Sequence, residues 1–184
     1  TGNLSLEQGP SSPGPGAHLD DELGLGKTLQ TIALIATLLR QNCYFSNIRP
    51  GTVEKVLIVC PLTLVVNWKR EFRKWIGRSS IGVLAVEGDG RKEVERFVSH
   101  RQYQVLILGY ERLRNCVQEL SRAMPGVGLV VCDEGHRLKS KDTKTTKCFD
   151  LLPTRRRILL TGTPIQNDLR EFYTMVDFVY PGLF

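Results

Sequence analysis

Four short apolar runs constrain the fold of this 184-residue chain more than any other feature. None of them alternates apolar with polar side chains, which indicates strands that are buried on both faces. The runs cover residues 56–60, 105–108, 129–132 and 158–160. Segments of helical character lie near residues 63–75, 91–99, 111–121 and 168–179. This alternation predicts an α/β doubly wound fold with a mostly parallel sheet and helices on both faces.

The bulk composition is that of an ordinary globular domain. Hydrophobic residues make up 41% and charged residues 24% of the chain, which is long enough for one domain with a sizeable core. No apolar run is long enough to span a membrane. The net charge of +6 fits either a nucleic-acid partner or a surface charged for solubility.

The cysteines give information about the compartment and about metal binding. Their number is odd, and no two of them form a Cys-x-x-Cys pair. They are Cys43, Cys60, Cys116, Cys132 and Cys148. Cys60 and Cys132 lie in apolar runs and are interpreted as small core residues. The pattern favours a reducing, intracellular location and argues against a zinc site.

The first sixteen residues differ in composition from the rest of the chain. Residues 1–16 are rich in Gly, Pro and Ser, which predicts a flexible tail. Residues 17–184 are predicted to form one domain, in which residues 41–54 are expected to be a surface loop. Because the sequence starts at Thr1, we expect it to be part of a larger protein or a processed product.

A candidate phosphate-binding stretch, DELGLGKT, lies directly before an amphipathic helix pattern. It consists of Asp21, Glu22, Leu23, Gly24, Leu25, Gly26, Lys27 and Thr28. In such a cradle, backbone N–H groups bind phosphate oxygens, the lysine reaches the β- and γ-phosphates, and the threonine hydroxyl holds Mg²⁺. Asp21 stands where the strict pattern has glycine. A glycine turn leading into a core helix is therefore the alternative interpretation.

Paired carboxylates follow the apolar run at 129–132. Asp133 could hold the Mg²⁺ coordination shell, and Glu134 could orient and deprotonate the attacking water. The alternative is that one of them caps a helix N-terminus. Lys27 and Thr28, about a hundred residues upstream, favour the catalytic interpretation, because ligands of α/β folds bind beyond the carboxyl ends of the strands.

The run at 56–60 is followed by a segment with two possible functions. Thr63 and the first N–H groups of the next helix could receive a nucleic-acid phosphate. Trp68 and Trp75 lie on one helix face and are interpreted as packing residues. The basic residues of the same helix could form either a solvated face or a stripe that contacts a nucleic-acid backbone. They are Lys69, Arg70, Arg73 and Lys74.

The run at 158–160 is preceded by three arginines and followed by hydroxyl residues. The arginines, at residues 155–157, are interpreted as a solvated entry to the strand. Thr161, Gly162 and Thr163 could link the γ-phosphate region to a second surface. They could also form a turn that Asp168 caps, and the two interpretations are compatible.

The ordered set of motifs resembles the Swi/Snf-type ATPases of helicase superfamily two. These motifs are DELGLGKT, IVCPLTLVVNW, GYERL, VVCDEGHRLKS and LLTGTPIQNDLREFY, and they run from about residue 16 to the end of the chain. DEGHRLK and TGTPIQNDLREF are most similar to the recombination-repair branch, the Rad-fifty-four-like translocases. The resemblance implies the first RecA-like lobe of a P-loop motor that hydrolyses ATP and moves along double-stranded DNA without unwinding it.

The resemblance also implies roles for individual residues. Residues 21–28 would bind ATP with its Mg²⁺. Lys27, Asp133 and Glu134 would be catalytic, and Thr28 and Asp133 would be the ligands of the metal ion. Thr63 would lie near DNA phosphates. The nucleotide state would be coupled to DNA and to a second lobe by His136, Thr161, Gly162, Thr163 and Gln166. Further implied features are a nuclear location and partners among recombinases or chromatin proteins.

The chain departs from the family pattern at several positions. Asp20 stands where a small residue precedes the DE pair, His18 occupies an apolar strand position, and Ser140 replaces a common asparagine. No adenine-reading segment is recognisable upstream, and the second lobe with its arginine finger is expected in the parent protein. The isolated chain is therefore expected to hydrolyse ATP very slowly.

These departures leave other functions open. One alternative is a non-catalytic ATP- or DNA-binding fragment, or a degenerate gene product. Others are a DExH-type helicase and an unrelated P-loop protein such as a small kinase. TGTPIQN and DEGHRLK argue against the helicase, and the four later motifs are unexplained by a small kinase.

Overall fold

The computed structural model describes residues 17–20, 26–41, 51–77, 81–135, 143–162 and 169–180. Six strands are β1 (Ala17–Asp20), β2 (Lys55–Cys60), β3 (Gly82–Ala85), β4 (Tyr103–Gly109), β5 (Val127–Cys132) and β6 (Arg157–Thr161). The α-helices are α1 (Lys27–Arg40), α2 (Val65–Ile76), α3 (Arg91–Ser99), α4 (Tyr110–Leu120), α5 (Thr143–Asp150) and α6 (Leu169–Val179). A short 3₁₀ turn, Leu62–Leu64, leads into α2.

These strands form one sheet in the order β1-β6-β5-β2-β4-β3. Every pairing is parallel. All six strands therefore end at one edge of the sheet, here called the carboxyl edge, and begin at the opposite, amino edge. The architecture confirms the α/β prediction and places the segments that follow the strands on the carboxyl edge, where ligands of such folds bind.

The core divides into two layers, one on each face of the sheet. Alternate strand residues point to opposite faces, so Leu57 and Val59 pack in one layer while Val56 and Ile58 pack in the other. The first layer is covered by α3, α4, α5 and α6, and the second by α1 and α2. Burial of both faces explains why the strand sequences lack polar alternation. Cys132 and Cys60 are fully buried on opposite faces, as predicted.

Two buried cations organise the amino edge. Lys55, at the start of β2, donates through Nζ to the carbonyl oxygens of Phe97, His100 and Tyr103. The ammonium group also lies 4.5 Å from the centre of the Phe97 ring. Since helix carbonyl ends carry partial negative charge, Lys55 stabilises the end of α3. Burial lowers the pKa of Lys55 from 10.5 to about 8.

Arg157 has the corresponding position at the start of β6. Its guanidinium donates to the carbonyl oxygens of Phe149 at 3.0 Å and Phe178 at 3.2 Å, which belong to the last turns of α5 and α6. It also contacts the Asp150 carboxylate at 3.2 Å. Only 3% of Arg157 is exposed, so the prediction of a solvated arginine run is wrong for this residue. Arg155 is exposed, as predicted.

Several local predictions differ from the structure. Residues 51–53 are packed rather than exposed, because the Thr52 and Val53 amides donate to the Leu38 carbonyl at the end of α1 and Val53 is buried. The hydrophobic pattern does not lead to a prediction of strands β1 and β3 or of helix α5, which the structure contains. Residues 1–16, the predicted tail, and residues 42–50 lie outside the described part of the chain.

Candidate nucleotide-binding site

The carboxyl edge brings together the predicted site residues that the structure describes. Gly26, Lys27 and Thr28 begin α1, Asp133 and Glu134 follow β5, Thr161 ends β6, and Gly162 comes directly after it. Thr63 follows β2 at the same edge. The remaining predicted residues lie outside the described ranges: Asp21, Glu22, Leu23, Gly24, Leu25, His136, Thr163 and Gln166. The described residues therefore have the arrangement in which a bound triphosphate could meet two carboxylates.

The start of α1 is a helix N-terminus that could receive a phosphate group. Gly26 has φ 83°, in the left-handed region that favours glycine, and an added Cβ would meet no neighbouring atom. The requirement for glycine here is therefore conformational rather than steric. No acidic residue lies in the first turn of α1, so its partial positive charge is not offset there. Lys27 and Thr28, both half-buried, follow immediately.

The Asp133 carboxylate is held by two donors from different parts of the fold. The indole Nε1 of Trp68, on α2, donates to Oδ2 at 2.8 Å. The backbone N–H of Glu134 donates to Oδ1 at 2.9 Å. The main chain is fixed as well, because the Asp133 amide donates to the Val59 carbonyl and the Tyr110 hydroxyl donates to the Asp133 carbonyl, both at 2.8 Å. These hydrogen bonds define the orientation of the side chain and of the main chain around it.

The electrostatics of Asp133 reflect its position in a partly buried site. Burial raises the pKa of this carboxyl above its ordinary value, and the hydrogen bonds from Trp68 and the Glu134 amide oppose the shift. The neighbouring Glu134 carboxylate raises the pKa further, whereas the Lys27 ammonium lowers it. The positive charge of Lys27 thus counteracts part of the effect of burial on the Asp133 pKa.

The turn after β5 is conformationally unusual. Glu134 has φ 54°, which is uncommon for a residue with a side chain and is seen where surrounding structure imposes it. Gly135 then packs so closely on Leu159 of β6 that any Cβ would overlap the leucine side chain. This packing holds the backbone directly after Glu134 against β6 and so restricts the position of the Glu134 side chain.

The oxygen ligands among the described residues suit Mg²⁺ rather than a metal ion that is enclosed by protein side chains alone. Thr28 and Asp133 offer a hydroxyl and a carboxylate oxygen, which are ligands that Mg²⁺ prefers. Within the described ranges, no group of three or more His, Cys, Asp or Glu side chains could enclose a metal ion. Mg²⁺ in nucleotide sites is held by one or two protein oxygens together with phosphates and water, and Thr28 and Asp133 would supply the protein oxygens of such a set.

Other predicted residues occupy different environments along the same edge. Thr161 is 1% exposed and pairs in register with Asp20 of β1. Thr63 is exposed, beside a cavity of about 380 Å³ between the ends of β2 and β4 that includes Leu62, Tyr110 and Arg112 in its lining. Buried Thr161 is thus suited to a structural link between strands, and exposed Thr63 to contact with a ligand.

The two tryptophans of α2 differ from each other. Trp68 is 1% exposed and contacts Asp133, whereas Trp75 is 47% exposed and donates to Glu71 on the surface at 2.8 Å. The packing interpretation is correct for the Trp68 ring and wrong for Trp75. Sequence reasoning missed the contact between Trp68 and Asp133, because spacing within α2 gives no information about a partner 65 positions away.

Comparison with known proteins decides the family. The SNF2-related domain matches residues 6–184, nearly the whole chain. The chain belongs to the SNF2-related domain family. This SNF2-related chain is 44% identical over 182 residues to the DNA repair and recombination protein RDH54 of Saccharomyces cerevisiae. It is 49% identical over 168 residues to the DNA repair and recombination protein RAD54B of Gallus gallus, and 48% identical over 168 residues to that of Homo sapiens.

Each of these alignments covers 91% of the SNF2-related chain. The chain spans about a fifth of the length of these relatives, 20% for RDH54 and 18% for both RAD54B proteins. A solved structure, the Sulfolobus solfataricus SWI2/SNF2 ATPase core in complex with dsDNA, matches with a TM-score of 0.71 and 30% identity. That match covers 92% of the chain and 32% of the archaeal protein, and it agrees with a RecA-like lobe.

Among the helices in the described part of the chain, none combines the length and the apolar character needed to cross a bilayer.

Proposed function

We propose that this chain is the ATP-binding first lobe of an ATP-dependent double-stranded-DNA translocase that acts in DNA repair or recombination. The observation that carries the proposal is the placement of Lys27, at the start of α1, and Asp133, after β5, at the same edge of the sheet in a chain that belongs to an ATPase family. A glycine turn that only leads into a core helix gives no reason for a carboxylate held by two donors at that edge.

Each residue would have a distinct task. The N–H groups at the start of α1 and the Lys27 ammonium would bind the phosphates. Thr28 and Asp133 would hold Mg²⁺, which would neutralise charge that develops during phosphoryl transfer. Glu134 would accept a proton from the attacking water. Residues 21–25 would complete the cradle.

The proposal of DNA binding rests on the exposure of Thr63 and on a structurally similar protein that was solved with DNA. Thr63 and the adjoining cavity with Arg112 are accessible at the same edge as the nucleotide residues. The archaeal neighbour was solved with double-stranded DNA, and the chain carries a net charge of +6. Phosphate contacts of this kind position a protein on DNA without reading sequence. The repair and recombination relatives make the nucleus the proposed location, with recombinase or chromatin proteins as further partners.

One observation favours a second candidate, a fragment that binds ATP or DNA without catalysis. Asp20 ends β1 immediately before the cradle and pairs in register with Thr161. An additional carboxylate at this place would oppose phosphate binding if it faced the ligand. A nucleotide-binding measurement distinguishes a weak site from a functional one.

Calorimetric titration of Mg–ATP into the chain tests the proposal. Lys27→Ala is expected to weaken binding by roughly 10- to 100-fold, because a hydrogen bond to a charged group contributes about 1.5–3 kcal/mol. Lys69→Ala is the matched control, since Lys69 is an exposed lysine paired with Glu87 at 2.8 Å. Absence of binding by a folded wild-type chain, or equal affinity of both variants, would contradict the proposal.

A further inference from the structure

Trp68 has a polar contact that core packing does not require. Its ring packs in the layer formed by α1, α2 and the sheet, and only 1% of the residue is exposed. A buried indole N–H needs an acceptor, and a backbone carbonyl or another side chain could serve. The acceptor here is Oδ2 of Asp133, at 2.8 Å.

The two donors together determine the plane of the carboxylate. Oδ1 of Asp133 accepts from the Glu134 amide, and Oδ2 accepts from Trp68 on a different element. Rotation about the Cβ–Cγ bond would break both hydrogen bonds at once. A carboxylate has about four lone-pair sites, so each oxygen keeps acceptor capacity for a metal ion or a metal-bound water.

We propose that Trp68 is a positioning residue, whose indole N–H holds the Asp133 carboxylate in the orientation that receives Mg²⁺. The inference rests on the proposed function, in which Asp133 is a metal ligand. Partners of this kind orient a ligand before the metal arrives, and their loss typically lowers metal affinity by 10- to 100-fold. Trp68 therefore acts on Mg²⁺ binding through Asp133 rather than by touching the metal or nucleotide.

The chain contains a matched control for this inference. Trp75 lies on the same helix and also donates its Nε1 to a carboxylate, Oε2 of Glu71 at 2.8 Å, but on the exposed surface. Phenylalanine at either position keeps an aromatic ring and removes the N–H. Trp68→Phe and Trp75→Phe thus make the same chemical change at the candidate site and away from it.

The first measurement separates metal binding from nucleotide binding. ATP affinity is measured by calorimetry in EDTA and then across a Mg²⁺ titration, with circular dichroism to verify folding. Trp68→Phe is expected to raise the Mg²⁺ concentration needed for half-maximal enhancement by about tenfold, and to change the affinity in EDTA by less than about twofold. Trp75→Phe is expected to change neither. Equal Mg²⁺ dependence of the two variants would overturn the inference.

A second measurement needs no substitution at Trp68. The chain has two tryptophans, so Trp75→Phe leaves Trp68 as the sole indole reporter. At saturating ATP, Mg²⁺ is expected to change Trp68 emission, and Asp133→Asn is expected to abolish the change. If Trp68 emission does not change with Mg²⁺ while calorimetry records Mg²⁺-dependent binding, the inference is overturned. A folded wild type whose nucleotide binding ignores Mg²⁺ would instead refute the proposed function and the inference with it.

Discussion

Arg157 offers the sharpest test of how the fold is held together at the edge opposite the site. Arg157→Met removes the guanidinium and keeps a long apolar side chain in its place. The carbonyl oxygens of Phe149 and Phe178, in the last turns of α5 and α6, then lose the hydrogen bonds from Arg157, and the Phe149 carbonyl keeps the one from the Leu152 amide. Both helices pack on the sheet face that includes β5 and β6, the strands that lead to Asp133 and Thr161.

The expected magnitude follows from the contacts of Arg157. Two hydrogen bonds to a charged donor contribute about 3–6 kcal/mol together. The Asp150 carboxylate is 61% exposed, so its ion pair adds less than about 1 kcal/mol. The Nε atom of Arg157 is buried without a partner in the described structure, and removal of this group relieves about 1–3 kcal/mol of desolvation cost. With the middle value of each range, the net loss of unfolding free energy is about 3 kcal/mol.

Urea unfolding followed by circular dichroism measures this loss, and Arg155→Met provides the control. Arg155 is exposed two positions earlier, so its substitution should change stability by no more than about 0.5 kcal/mol. Arg157→Met is also expected to lower Tm by roughly 6–12 °C for a domain of this size. If the two variants unfold at the same urea concentration, the assignment of Arg157 as a cap for two helices is refuted.

Three further substitutions test other parts of the account. Lys55 has a folded-state pKa of about 8 against 10.5 in the unfolded chain, so the unfolded chain binds more protons between these values and stability should rise with pH across this window. The rise is about 3 kcal/mol relative to Lys55→Met, measured by urea unfolding at several pH values, and a fall would contradict it. Gly26→Ala should cost about 1–2 kcal/mol of unfolding free energy because φ is 83°, and unchanged stability would exclude the strain argument. Glu134→Gln should leave Mg–ATP affinity within about twofold and lower any measured hydrolysis rate by about 100-fold or more, and a wild-type rate would remove Glu134 as the base.

Much of the fold could be predicted because its signal is local. The central strands β2, β4, β5 and β6 lie in continuous apolar runs, since both of their faces are covered. Strand β3 also lies in an apolar run, residues 81–86, which the prediction missed; the strand is only four residues long and includes Gly82 and Ala85, which have weak strand propensity. Helix α5 is rich in threonine and lysine, TKTTKCFD, and so lacks a clear apolar stripe.

The motifs predict the residues of the candidate site but not the contacts that support them. Lys27, Thr28, Asp133 and Glu134 follow from chemistry that needs those side chains in that order along an α/β chain. The hydrogen-bond partners of Trp68 and Arg157 are set by tertiary packing. The sequence alone therefore predicts only a core position for the tryptophan and only a surface position for the arginine run. Buried polar groups of this kind become visible only when the acceptor from another element is in place.

The central claim is that the carboxyl edge of this SNF2-related lobe binds Mg–ATP. Backbone amide NMR of the ¹⁵N-labelled chain during an Mg–ATP titration tests it most directly, because each residue reports separately. The account predicts saturable shifts of the Gly26, Lys27, Asp133 and Glu134 amides, with the Lys55 amide at the amino edge unaffected. Shifts centred on the amino edge, or no shifts in a folded chain, would contradict it.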